Sequence, residues 1–152
     1  PHRGDWEEGN VWQESERFNL YLTAGQLAPT AHGKNPLTHS FIELKDENLN
    51  ISAIKKSEDG EGYVVRLFNP SDKTIKNSIR LNGGIAPIEK VQSPVERQMA
   101  EFELPAYSGK KWSEVKLVTL EELDSAPLTM DADGFVDFEI TGKKILTIKF
   151  IG

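Results

Sequence analysis

The chain has 152 residues, enough for one domain that buries a hydrophobic core without covalent cross-links. It contains no cysteine, which excludes disulfides, thiolate metal sites and a cysteine nucleophile, and fits a reducing compartment. The net charge of -6 disfavours nucleic acid as a partner, and no apolar run approaches the ~20 residues that cross a bilayer. We therefore expect a cytoplasmic protein with no membrane and no nucleic-acid partner.

Residues 1–40 show weak periodicity, and we predict that they form a leading loop and strand, the remnant of a preceding region. The chain begins at Pro1 and not at Met, so we expect a processed protein or a fragment. Residues 1–16 are polar and rich in turn formers, which indicates irregular chain. In residues 18–23, Phe18, Leu20 and Leu22 alternate with other side chains and predict a strand.

Two short motifs in this leading part allow a functional interpretation. Arg3-Gly4-Asp5 spells an adhesion tripeptide, although three residues often match by chance. His32 and His39 lie in a loop that contains Gly and Pro, and no third ligand is evident, so we expect no metal site there.

The strongest pattern lies in residues 50–70. Two runs rich in Ile, Val, Tyr and Phe flank an Asp59-Gly60 step, which predicts a β-hairpin because Gly accepts the positive φ of such turns. The second run is apolar on both faces, which is typical of a central strand. Arg66 lies within it, and we expect its aliphatic stem to pack on the sheet with its head paired at the rim.

Further strands are predicted at residues 41–44, 75–81, 115–120, 135–140 and 144–150, and short strands joined by loops in residues 85–107. Residues 121–124 are interpreted as an acidic corner. Asp131 and Asp133 begin like a calcium loop, but the remaining ligand positions fall in a strand, so we favour a tight turn. The frequent turn signals predict an all-β fold, an antiparallel β-sandwich of two sheets, over residues 41–152.

Residues with a catalytic pattern are not evident. The three histidines lie within the first 39 residues, no glycine-rich phosphate loop is present, and the paired carboxylates fall in turns, where solvated acids are expected. Trp6, Trp12 and Trp112 could stack on sugar rings or pack in the core or at an edge. We assign no catalytic residue and no metal ligand.

Residues 50–70 nevertheless resemble a known family. The runs that carry the similarity are Ile51-Ser52-Ala53, Ser57-Glu58-Asp59-Gly60 and Val64-Val65-Arg66-Leu67-Phe68-Asn69-Pro70. They resemble the C-terminal β-sandwich region of glycoside hydrolase family 38, in particular bacterial α-mannosidases. Weaker similarity extends over most of residues 41–152 and to the loop and strand at residues 3–22.

The resemblance implies a parent enzyme that hydrolyses α-mannosidic bonds with retention, using zinc and an aspartate nucleophile in a catalytic domain outside this chain. It implies that this fragment is non-catalytic, inactive alone and without a cofactor of its own. Its partner would be the catalytic domain of the same polypeptide, with mannosides bound through the parent. Arg3-Gly4 is similar to a family pair near the active site, which makes Arg3 a candidate substrate-adjacent residue. The alternative is an independent carbohydrate-binding or adhesion β-sandwich module.

Overall fold

A computed structural model describes residues 2–25, 40–82 and 112–152, and the chain divides into two compact units, Pro1–Gly33 and Lys34–Gly152. The described elements are one helix and eight strands. They are α1 (Val11–Asn19), β1 (Ile42–Leu44), β2 (Asn50–Lys56), β3 (Gly62–Phe68), β4 (Ile75–Leu81), β5 (Glu114–Val118), β6 (Asp124–Leu128), β7 (Val136–Ile140) and β8 (Ile145–Ile151).

The first unit corrects the sequence analysis. Residues 11–16, predicted to be irregular, begin helix α1, and no strand forms over residues 18–23. Two contacts within the helix explain the difference: the Glu14–Arg17 ion pair at 2.6 Å and the hydrogen bond from Asn19 Nδ2 to the Ser15 carbonyl at 2.7 Å. Phe18 therefore lies in the helix, and the alternation on which the strand prediction relied is broken. The predicted boundary at residue 40 stays a prediction.

The second unit is the predicted antiparallel sandwich. One sheet has five strands in the order β2-β3-β8-β5-β6, and the other has three in the order β1-β4-β7. Every strand pair is antiparallel. The β2–β3 hairpin is confirmed, with Gly60 at φ 78° in its turn, and β3 is interior to its sheet as predicted.

The hydrophobic core lies between the inner faces of the two sheets. Val65, Leu67, Ile148 and Phe150 are buried on the five-stranded sheet, and the buried residues of the other sheet are Ile79, Leu81, Val136, Phe138 and Ile140. Burying each such side chain contributes about 1.5–3 kcal/mol. Successive residues of a strand point to opposite faces, so the same strands carry polar groups outward.

Strand β6 (Asp124–Leu128) is missing from the sequence prediction, which placed only an acidic corner at residues 121–124. It carries Pro127, a residue that cannot donate to a ladder, and it lies at the edge of the five-stranded sheet, where proline is tolerated.

The predictions for residues 85–107 and for His32 and His39 lie outside the described residues. Within the described ranges, no helix combines the length and the apolar character needed to cross a membrane.

Candidate functional site

Two ion pairs among the described residues lie on the outer face of the five-stranded sheet. We call their four side chains, Lys55, Asp59, Glu122 and Lys149, the hairpin–loop cluster. Lys149 points outward from β8, since its neighbours Ile148 and Phe150 face the core. Its side chain is only 4% exposed and forms an ion pair with Asp59 in the β2–β3 turn. A buried ammonium without such a partner would be strongly destabilising.

Asp59 is held by three donors. Its Oδ1 accepts hydrogen bonds from the Ser57 hydroxyl at 2.7 Å and from the Glu61 N–H at 3.0 Å, while Oδ2 faces Lys149. The Lys149 ammonium, followed by these two donors, holds the pKa of Asp59 well below its usual range. The same contact raises the pKa of Lys149. Both groups are therefore charged at neutral pH.

Glu122 brings the loop between β5 and β6, residues 119–123, over the same face. Its backbone has φ 65°, and its side chain is only 5% exposed. The carboxylate contacts Lys55 Nζ at 2.6 Å and accepts the Glu58 N–H at 2.7 Å, so it joins the loop to the hairpin turn. The hydrogen bond with Lys55, then that from the Glu58 N–H, lowers the pKa of Glu122.

Arg66 contacts the same loop from β3. Its Nη2 donates to the Leu120 carbonyl at 3.3 Å, and its side chain is partly buried. The predicted contact of the Arg66 head is observed as this hydrogen bond, whereas the packing of its stem stays a prediction. A general acid or base needs a pKa near the working pH. The pKa values of the Asp59 and Glu122 carboxyls are instead lowered, away from neutrality. The hairpin–loop cluster is thus suited to a structural role, in which it holds the β2–β3 turn and the 119–123 loop together.

A second fastening point is Asn69, which is completely buried. Its Nδ2 donates to the Lys73 carbonyl at 2.8 Å and to the carbonyls of Ile140 and Thr141 at 3.2 Å. Its backbone N–H donates to the Lys144 carbonyl. One side chain thereby connects the β3–β4 and β7–β8 turns. From the sequence, Asn69 was named only within the run that carries the family resemblance. An Asn between a buried strand and a proline is the signal that could have identified it.

On the outer face of the three-stranded sheet, two cationic side chains contact the ring of Phe135. Lys45 Nζ and the Arg80 guanidinium each lie 4.6 Å from the centre of the Phe135 ring, and Arg80 also pairs with Glu43 at 2.7 Å. Because these cations already occupy the ring, Phe135 is not a free stacking platform for a sugar.

The candidate residue Arg3 and the adhesion tripeptide to which it belongs lie in the first unit. Arg3 lies in an exposed bend of the first unit. The Asp5 carboxylate of the adhesion tripeptide accepts the N–H groups of Glu7 and Glu8, each at 2.9 Å, within its own turn. Among the described residues, no group of three His, Asp or Glu side chains could hold a metal ion.

Asp131 forms the predicted tight turn. Its Oδ1 accepts the N–H groups of Asp133 at 2.9 Å and Phe135 at 2.7 Å, and its carbonyl accepts the N–H of Gly134.

Trp112 is a core residue and not a sugar platform. Its indole N–H donates to the Leu81 carbonyl at 2.7 Å, and its ring meets Tyr63 and Phe150 edge to face, with centroids 5.9 and 5.7 Å apart. Trp6 and Trp12 are partly exposed in the first unit.

The fold and these contacts define a β-sandwich module whose described polar groups fasten its own loops. The chain matches the family model described as the glycosyl hydrolases family 38 C-terminal beta sandwich domain over residues 48–148, and it belongs to that family. It is similar to Alpha-mannosidase G of Dictyostelium discoideum, with 36% identity over 72 residues, 45% of this chain and 6% of that protein. The aligned stretch therefore spans only a small part of this curated relative.

Proposed function

We propose that the chain serves as a non-catalytic C-terminal domain of an α-mannosidase, a glycosidase that hydrolyses α-mannosidic bonds. The observation that carries the proposal is the family match over residues 48–148, a range that covers strands β2 to β7 and half of β8. The similarity to Alpha-mannosidase G supports the same parent activity.

In this proposal the sandwich packs against the catalytic domain of the same polypeptide and holds loops at the rim of the sugar site. Several large apolar side chains described in the second unit are half exposed or more, and such surface is suited to burial against another domain; they are Phe41, Ile54, Leu120, Leu123 and Ile145. The hairpin–loop cluster supports this role, because it fixes the 119–123 loop, which carries Leu120 and Leu123.

The chemistry of the parent belongs to its catalytic domain, which contributes the zinc ion, the aspartate nucleophile and the retaining mechanism that the family resemblance implies. Mannosides are then bound through the parent and not by this domain alone. The absence of cysteine from the chain supports a cytoplasmic location. The net charge of -6 supports a role without nucleic acid.

The test compares the whole enzyme with a version that lacks residues 41–152. We expect the truncated enzyme to have a lower soluble yield and a lower melting temperature, because apolar surface of the catalytic domain loses its cover. A truncated enzyme that stays folded and fully active would contradict the supporting role. Release of mannose by the 152-residue chain with added zinc would contradict its assignment as non-catalytic.

Arg3 is proposed as a residue on the substrate side of the parent enzyme. Arg3→Ala in the whole enzyme should raise KM for an α-mannoside by about tenfold, the effect of losing about 1.4 kcal/mol of binding. Arg17→Ala is the matched control, because Arg17 pairs with Glu14 in α1. An unchanged KM in the Arg3 variant would remove this role.

The independent sugar-binding or adhesion module is not favoured. Trp112 packs in the core, and Asp5 is engaged within its own turn. Titration of the chain with mannose and short α-mannosides, followed by tryptophan fluorescence, separates the two functions. We expect no saturable change, whereas saturable binding would favour the independent module.

A further inference from the structure

The chain contains two Asp-Gly steps, Asp59-Gly60 and Asp133-Gly134, and both lie in turns between strands. In both turns the glycine has a left-handed backbone, with φ 78° in the first and φ 83° in the second. Each glycine N–H donates to the carbonyl three residues earlier, at 2.9 Å in the first turn and 3.1 Å in the second. The two steps therefore share their sequence and their turn, and they differ in what surrounds the aspartate side chain.

An Asp-Gly step can rearrange to isoaspartate without an enzyme. The glycine nitrogen attacks Cγ of the aspartate and forms a C–N bond, while the carboxyl hydroxyl leaves with the N–H proton as water. The resulting cyclic imide then takes up one water molecule from the solvent. Opening at Cγ restores aspartate, whereas opening at the main-chain carbonyl gives isoaspartate. Glycine favours the attack because it has no side chain to crowd the nitrogen.

The Asp59 carboxylate is held in a form that resists this reaction. Its Oδ2 pairs with the Lys149 ammonium, and its Oδ1 accepts the Ser57 hydroxyl and the Glu61 N–H. These contacts lower the pKa of Asp59, so the protonated carboxyl, whose hydroxyl is the leaving group, is at least about tenfold rarer than in an ordinary aspartate. Attack at Cγ would also remove the negative charge that the three donors bind.

The Asp133 side chain has no such protection. It is exposed, and no hydrogen bond or ion pair among the described residues uses its carboxylate. Its main-chain carbonyl accepts a hydrogen bond from Arg80 Nη1 at 3.1 Å. That carbonyl is conjugated with the Gly134 nitrogen, so the guanidinium stabilises the negative charge that develops when the nitrogen loses its proton. The Arg80 contact therefore favours the attack on Cγ of Asp133.

We propose that Asp133 is a site of spontaneous isoaspartate formation, and that the hairpin–loop cluster protects Asp59 from the same modification. This chemistry does not depend on the parent activity, because it needs only the turn. Isoaspartate places one additional methylene group in the main chain just before β7. The N–H groups of Gly134 and Phe135 both donate to Asp131 and close this turn, and the longer chain weakens these hydrogen bonds.

The test follows both steps by peptide mapping while the folded chain is incubated at mildly acidic pH. Mass spectrometry with electron-transfer fragmentation distinguishes isoaspartate from aspartate at each position. We expect isoaspartate to accumulate at least about tenfold faster at position 133 than at position 59. Equal rates, faster reaction at position 59, or no product at position 133 would overturn the proposal.

Incubation of the chain in urea is the control for local sequence. The two steps should then react at similar rates, because unfolding removes the ion pair of Asp59 with Lys149. A ratio in urea as large as that in the folded chain would assign the selectivity to neighbouring residues and would also overturn the proposal.

Two variants locate the cause. Asp133→Glu should abolish the product at position 133, because glutamate closes its larger imide ring much more slowly. After incubation the melting temperature of the original chain should fall by about 3 °C, and that of Asp133→Glu should not. Lys149→Met should speed the reaction at position 59 and leave position 133 unchanged, and an unchanged rate at position 59 would contradict the protection. Because both positions are compared in the original chain, the first measurement decides the proposal even if Lys149→Met fails to fold.

Discussion

The carboxylate Oε1 of Glu122 lies 2.6 Å from Nζ of Lys55, and this contact fixes the loop between β5 and β6 to the other edge region of the five-stranded sheet. Glu122 holds a left-handed backbone, with φ 65°, that residues other than glycine rarely adopt. The ion pair and the hydrogen bond from the Glu58 N–H offset this strain and keep the 119–123 loop closed.

Glu122→Gln should lower the melting temperature of the chain by about 3 °C, because the buried carboxylate loses its ion pair with Lys55. Thermal unfolding followed by circular dichroism provides the measurement. Glu121→Gln is the control, since Glu121 is exposed in the same loop. Lys55→Met and the double variant Lys55→Met/Glu122→Gln complete a double-mutant cycle. Fully additive changes in melting temperature would show that the two side chains do not interact.

Asp59 makes stability depend on pH. Lys149 lowers the pKa of folded Asp59 below its ordinary value of 3.8, so the stabilisation is complete above about pH 4 and is lost as the pH falls further. Asp59→Asn should reduce stability at pH 7 and flatten its decline between about pH 4 and pH 2. Urea unfolding midpoints over this range measure the effect. Asp133→Asn, at an exposed turn, should leave the midpoint at pH 7 unchanged.

Asn69→Ala should lower the free energy of unfolding by about 3 kcal/mol, because it leaves buried carbonyls without their donor. Asn69→Asp should be comparably damaging, since a carboxylate cannot donate to those carbonyls. Denaturant unfolding of Asn48→Ala, at an exposed position, is expected to stay within about 0.5 kcal/mol of the original chain. Equal stability of the Asn48 and Asn69 variants would refute the fastening role.

Position 62 requires glycine because the backbone of the neighbouring strand β8 lies too close to leave room for a Cβ. A Cβ at this position would lie 1.8 Å from the Phe150 carbonyl oxygen in the neighbouring strand β8. Gly62→Ala should therefore cost about 3 kcal/mol of unfolding free energy, as over-packing does. Gly25→Ala is the control because nothing lies within 4 Å of its built Cβ. Matching unfolding curves for the two variants would contradict the close approach.

Residues 50–70 show how much of the fold follows from local pattern. Two β-branched runs around Asp59-Gly60 predicted the hairpin, and apolar residues on both faces of β3 predicted its interior position. Strands β4, β7 and β8 followed from alternating apolar residues in the sequence, although burial alternates strictly only in β7 and the centre of β8 is buried on both faces. The pattern failed at β6, whose proline and exposed residues carry no alternation signal, and at α1, which lacks any buried residue.

The polar contacts between distant segments could not be predicted from local sequence patterns. Lys149 belonged to a predicted strand and Asp59 to a predicted turn, but their pairing depends on β8 lying beside β3. Asn69 bonds the Ile140 carbonyl 71 residues away. The sequence specifies the donor and the acceptor separately, and only the strand order brings them within hydrogen-bonding distance.

The sequence by itself determined that the fold is an antiparallel β-sandwich, and its motif at residues 50–70 determined the resemblance to the family that the match over residues 48–148 confirms. Both depend on neighbouring residues, since strand periodicity and turn chemistry are local. The tertiary structure alone decided the order β2-β3-β8-β5-β6, the clustering of Lys55, Asp59, Glu122 and Lys149, and the burial of Trp112. These depend on contacts between distant segments, which packing of the two sheets creates.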